Sequence, residues 1–132
     1  MNTLLSIFLF VSLGQPPVEP VLDISDDVAS ALKTGNAASV AKFFSASVDM
    51  KILDKEDVYS KAQAELILKD FFAKNAIKSF AIMHKGTSKT GDQFAIGTYE
   101  SSSGKKFRTY CLFKKEGPGM TIQQLRFEPQ DE

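Results

Sequence analysis

Tryptophan is absent from this chain, and cysteine and histidine occur once each, as Cys111 and His84. A lone cysteine excludes an internal disulfide, and one histidine with one cysteine falls short of the usual zinc ligand sets, so no metal is expected. Net charge is missing as well, since 16 Lys and Arg balance 16 Asp and Glu. A protein that tracks nucleic acid needs a basic excess to displace counterions from phosphates, and docking on anionic lipid needs the same. Neither partner is expected. No apolar run approaches the ~20 residues that span a bilayer. Gly-rich phosphate loops, nucleophile elbows and HExxH patterns are also absent, so no cofactor and no catalytic residue is assigned. What is present is 43% apolar and 24% charged residues in 132, the make-up of one globular domain. Eleven phenylalanines suit a core built by aromatic packing.

Residues 3–13, TLLSIFLFVSL, have the length of a secretory h-region, and Ser12 and Gly14 stand where a cleavage site wants small residues. The alternative is an apolar first strand or helix, but QPPVEP at 15–20 would cut it off from the rest. The expected organisation is a signal peptide at 1–14, a Pro-rich leader at 15–22, one domain at 23–128 and a tail at 129–132. The protein is then exported, periplasmic or extracellular, with no membrane anchor after cleavage. In an oxidising compartment a single cysteine should be buried, which suits Cys111 in an apolar strand.

Residues 23–34 place Ile24, Val28, Ala31 and Leu32 on one helical face, with Asp23 or Ser25 as the cap and Gly35 as the left-handed stop. The acids around Ser25 are better explained by a helix N-terminus than by a cation loop, which would alternate ligands about a glycine turn. Asn36 can cap a second short helix whose Val40, Phe43 and Phe44 face the core. Residues 46–53 alternate as a half-buried strand, DKED reverses the chain, and Val58-Tyr59 pair back briefly. Ser60 and Gln63 then form a capping box ahead of a helix with Ile67, Leu68, Phe71 and Phe72 inward, Leu66 widening the stripe and Asn75 as a left-handed stop. Burying those four residues at about 2 kcal/mol each makes this helix a main contributor to the core.

From Lys78 onward the period becomes two, with strands at about 78–85, 93–100, 105–114 and 120–128 separated by GTSKTGD, SSSG and KEGPG. Short loops make these strands an antiparallel meander. Setting Glu100 opposite Lys105 and His84 opposite Phe94 turns Phe80, Ile82, His84, Phe94, Ile96, Thr98, Phe107, Thr109, Cys111 and Phe113 toward the helices. The outer face then carries Tyr99, Tyr110 and Leu112, a patch of the kind that marks a homodimer contact or a ligand surface. A one-residue slip, or a bulge at Gln123-Gln124, would exchange the faces for part of the sheet.

Helix, helix, strand, helix and then an antiparallel meander is the order of the nuclear-transport-factor-2-like, cystatin-like α+β cone, three helices packed on a curved antiparallel sheet. ILDKEDVYSKAQAELILKDFF at 52–72, HKG at 84–86, AIGTY at 95–99 and IQQLRFE at 122–128 resemble small exported Bacteroidetes proteins grouped as domain of unknown function 4783. The run Tyr59-Ser60-Lys61-Ala62 is the most specific part. The resemblance implies a fold and an exported location. It implies no reaction and no site residues.

Two functional readings follow. In the first, the chain is a non-catalytic exported domain that binds a small apolar ligand or a protein partner at the cone mouth or the outer sheet face. In the second, it is a pocket enzyme of isomerase or dehydratase type with His84 as base, which would need a carboxylate beside that histidine in an apolar cavity. Asp49 and Tyr59 should lie close if the 48–59 hairpin forms, and such a pair can orient a ligand carbonyl. The alternative is an exposed strand residue and a hydrophobic residue stapling the helix start. Arg108, between Phe107 and Tyr110, sits in a basic and aromatic strand of the kind that takes single-stranded nucleic acid. Zero net charge favours instead a solvated strand with ion pairs to Glu100 or Glu128. The candidate binding residues are therefore His84, Asp49, Tyr59, Tyr99, Arg108 and Tyr110.

Overall fold

Asp23 accepts a hydrogen bond from the Ser25 amide and opens α1 (Ile24–Lys33), which Gly35 ends in the expected left-handed conformation, φ 66°. The computed structural model describes residues 23–130, so the expected signal peptide, its cleavage site, the leader and residues 131–132 lie outside it. Asn36 caps α2 (Ala37–Ala41), a single short turn of helix, and the chain passes directly into β1 (Phe44–Ile52). β2 (Lys55–Ser60) pairs back along β1 for six residues, longer than Val58-Tyr59 alone suggested. Ser60 and Gln63 form both hydrogen bonds of the expected capping box and start α3 (Lys61–Lys74). Asn75 does not stop this helix in the left-handed region. Its φ is −133°, and its amide and side-chain nitrogen both donate to the Phe71 carbonyl.

The meander follows as β3 (Ile77–Thr87), β4 (Gln93–Ser101), β5 (Lys106–Glu116) and β6 (Gly119–Pro129). One six-stranded sheet results, in the order β2-β1-β6-β5-β4-β3. It is not wholly antiparallel, because β1 runs parallel to β6. α1 lies over β3 and α3 over β1, so the helices cover one face and leave the other without a cover among the described residues. No helix among the described residues is long and apolar enough to cross a membrane.

Register decides what the helices cover. Glu100 pairs with Lys106 rather than Lys105, because the buried Ser101 hydroxyl accepts from the Lys105 amide and holds Lys105 inside the turn. That single slip exchanges the faces of β4. Ala95, Gly97 and Tyr99 point to the helices, whereas Phe94, Ile96 and Thr98, expected inside, lie on the outer face. On β5 the expected inner set of Phe107, Thr109, Cys111 and Phe113 is buried. On β6 a bulge at Gln123 keeps both Ile122 and Leu125 inside, as the Gln123-Gln124 pair allowed. A second bulge, at Met83, was not foreseen. Ile82 pairs with Gly97 on the inner face, but His84 pairs with Ile96 and turns outward. The next residue, Lys85, then reaches Asp23 at 2.7 Å and Asp26 at 3.4 Å and ties the sheet edge to the start of α1. The Lys85 ammonium holds the Asp23 carboxyl below its ordinary range.

The core is an aromatic cluster. Phe71 stacks on Phe127 with ring centres 4.4 Å apart and meets Phe107 at 5.2 Å and Tyr99 at 5.4 Å, while Phe72 lies parallel to Tyr99. The Tyr99 hydroxyl donates to the Asn75 carbonyl, which satisfies a polar group that burial would otherwise penalise. Between α1 and the sheet only about 10 Å³ of space remains.

Two outcomes are expected. A Cβ at Gly97 would stand 2.6 Å from the Ala81 carbonyl oxygen and 2.6 Å from the Phe80 ring, so Gly97→Ala should lower stability by about 1–3 kcal/mol in urea titrations. Burial pushes the Tyr99 phenol up to about 12 and the Cys111 thiol up to about 12. In the unfolded chain these groups lose their protons near their ordinary values of 10.0 and 9.0, so the folded state holds more protons and stability falls as pH rises above about 9. Each group adds a slope of about 1.4 kcal/mol per pH unit until its folded value is passed. Tyr99→Phe should flatten the loss above about pH 10 and cost about 1 kcal/mol at neutral pH.

Candidate functional site

α3 is pinned to the middle of the sheet by Phe71, while the β1–β2 hairpin extends past the helix at the sheet's edge. Between them lies an open cleft of about 580 Å³. Met50, Ile52 and Phe71 line it from the core, Tyr59 from the hairpin and Ile67 from the helix. Leu53 and Leu66 are lining residues that remain exposed, at 38% and 64%. Leu66 was expected to widen the buried stripe. It lies two positions from Leu68, about 200° around the helix, and so cannot share its face. Leu53 makes the turn between β1 and β2 with φ 57°, a left-handed conformation that costs a branched apolar residue more than it costs glycine or asparagine. Its amide donates to the Phe127 carbonyl at 2.9 Å, which holds the turn against the sheet.

The rim of the cleft is charged, with Asp54 and Lys55 on the hairpin and Asp70 and Lys74 on the helix. Asp70 and Lys74 pair at 3.0 Å, both largely exposed, and such a pair contributes little to stability. Past Asn75 lies a second recess of about 620 Å³ that shares Leu53, Lys74 and Asn75 with the cleft and is bounded by Lys105, Lys106 and Phe107. No cluster of three or more His, Cys, Asp or Glu among the described residues is placed to hold a metal ion.

The six residues singled out from the sequence are dispersed. Tyr59 lines the cleft. Asp49 pairs with Val58 and Tyr59 with Val48, so the two residues expected to act together sit on opposite faces of the hairpin. Tyr99 is wholly buried and is no part of an outer patch. His84 is exposed on the outer face opposite Ile96, away from the cleft and from the core, where a base for a pocket enzyme would have to stand.

Three of the six do gather on the outer face. Arg108 and Tyr110 surround a dip of about 200 Å³ with Arg126 and Glu128, and Arg126 reaches Asp49 at 3.7 Å and Glu56 at 2.9 Å. Arg108 stands opposite Glu128 as expected, yet the close partner of Glu128 is Lys51, at 3.0 Å. That hydrogen bond holds the Glu128 carboxyl below its ordinary value, with Arg126 and Arg108 adding to the effect. Beside these charges, Phe94, Ile96, Tyr110 and Leu112 form the apolar part of the outer face, all half-buried. The Phe94 ring lies against Gly86 of β3, so close that a Cβ there would stand 2.6 Å from it.

Solved structures share this architecture. A DUF4783 family protein from Bacteroides uniformis is 29% identical, with a TM-score of 0.77 over 83% of this chain and 100% of that one. A Nostoc punctiforme domain of unknown function with a cystatin-like fold gives a TM-score of 0.64 at 12% identity, over 82% of this chain and 74% of that one. A Streptomyces avermitilis protein of the NTF2-like family gives 0.62 at 12% identity, over 82% and 91%. At such identity the last two establish the fold alone. A search of curated proteins gave no match. The family model for the domain of unknown function DUF4783 matches residues 25–128, which include every helix but the first residue of α1 and every strand but the last residue of β6, and the chain belongs to that family.

Proposed function

We propose that this chain is a non-catalytic binding domain that takes a small apolar ligand in the cleft between α3 and the β1–β2 hairpin. The observation that carries the reading is the apolar wall left open there. Met50, Ile52, Tyr59, Ile67 and Phe71 form its surface, and Leu53 and Leu66 stand exposed at its rim. A volume of about 580 Å³ falls within the roughly 300–1,000 Å³ of small-molecule sites. The left-handed turn at Leu53 supports the same reading, because strained backbone tends to persist where it serves a site. The binding reading is favoured over the pocket-enzyme alternative because His84, the base that alternative would use, is exposed on the outer face and does not line the cleft. The apolar run at 3–13 supports export as the setting in which the domain works.

A second reading concerns the outer sheet face, where we propose a contact with a second copy of this chain. Phe94, Ile96, Tyr110 and Leu112 supply an apolar centre without a cover among the described residues. Around it Asp49, Glu56 and Glu128 balance Lys51, Arg108 and Arg126, so the face is complementary to itself in charge.

For the cleft, the neutral dye Nile red should brighten on binding the wild type. Leu66→Asp should weaken that binding at least about tenfold while leaving stability within about 0.5 kcal/mol, because the side chain is exposed. Leu53→Asn should raise stability by roughly 0.5–1 kcal/mol, as asparagine tolerates left-handed backbone, and should also weaken the dye. Unchanged dye affinity in both variants sinks the cleft reading. For the outer face, sedimentation should show a dimer that Leu112→Glu converts to monomer. A wild type that stays monomeric at high concentration rules the contact out.

A further inference from the structure

The cleft and the second recess adjoin, with Leu53, Lys74 and Asn75 bordering both, and we refer to the pair as one groove. Its two ends differ in kind. The end under α3 has an apolar wall, whereas the end past Asn75 is bordered by Lys105, Lys106 and Lys74, whose ammonium also pairs with Asp70 at 3.0 Å. Around the whole groove four lysines face two aspartates, on a chain whose net charge is zero. The C-terminus of α3 would ordinarily repel an anion there through its free carbonyls. Here the Phe71 carbonyl accepts from both nitrogens of Asn75, and the Asn75 carbonyl accepts from the Tyr99 hydroxyl. Those two carbonyls are therefore engaged within the protein.

Resting on the cleft reading above, we infer that the ligand class is an anionic amphiphile. Its alkyl tail lies along Phe71, Ile67 and Leu66, and its acidic head sits between Lys74 and Lys105. Long lysine stems suit this division, since they can cover apolar surface while the ammonium stays in water beside the head. The lysines would add selectivity and salt dependence, and the tail most of the affinity.

Calorimetric titration with dodecanoate and with 1-dodecanol, both below their aggregation limits, separates the two ideas. The wild type should bind dodecanoate about tenfold more tightly than dodecanol at low salt, and the gap should narrow as salt is added. In the double variant Lys74→Gln with Lys105→Gln, the preference for dodecanoate over dodecanol should vanish. Equal binding of the two probes by the wild type, or a preference that survives in the double variant, overturns the anionic-head inference and leaves the apolar cleft standing. Binding of neither probe overturns the cleft reading and this inference with it.

Discussion

Phe71 is the side chain on which the rest of the structure depends. It stacks on Phe127 and meets the rings of Tyr99 and Phe107, so one residue of α3 touches three neighbouring strands of the sheet. Such contacts combine a large buried apolar area with preferred ring geometry, and each limits how the others can move. The C-terminal end of the helix is thereby fixed over β4, β5 and β6, and the Tyr99 hydroxyl adds a polar tie to Asn75. The β1–β2 hairpin is held to the sheet by the β1–β6 ladder and by the Leu53 amide, and its turn reaches beyond the part of β1 that α3 covers. The cleft is the space this leaves. Phe71 is both the centre of the core and a wall of the cleft.

The outer face follows from the same economy of covering. Three helices, one of them five residues long, cover one side of a six-stranded sheet. The uncovered side divides into a charged part on β1, β2 and β6, joined by Arg108 of β5, and an apolar part on β4 and β5. The division is a consequence of register, since Phe94 and Ile96 would have been core residues under the other pairing. Two independent surfaces, a groove on the helix side and a mixed patch on the sheet side, are thus available to the domain.

Much of the fold was legible locally. Capping residues announced α1, α2 and α3, and alternation announced the strands, because hydrogen bonding to the first free amides and burial of one face act over a few residues. The bulge at Gln123 was visible as two adjacent glutamines in an otherwise alternating strand. Less was legible where one residue's displacement changes the outcome. Nothing in the run Ile82-Met83-His84 shows which of the three is unpaired, and that choice sent His84 outward and brought Lys85 to α1. The Ser101 hydroxyl bond to Lys105 likewise depends on a turn geometry that SSSG permits without requiring.

The stretch 52–75 shows the division within a single segment. Its sequence determined the hairpin, the capping box and the buried stripe, because those arise from neighbours in the chain, and its wording also identified the family. Tertiary structure alone decided that Leu53 would be left uncovered, that Tyr59 would line the cleft, and that a recess past Asn75 would be bordered by Lys105 and Lys106. Those outcomes depend on where a helix comes to rest against strands up to about 55 positions away, a separation at which local pattern carries no information.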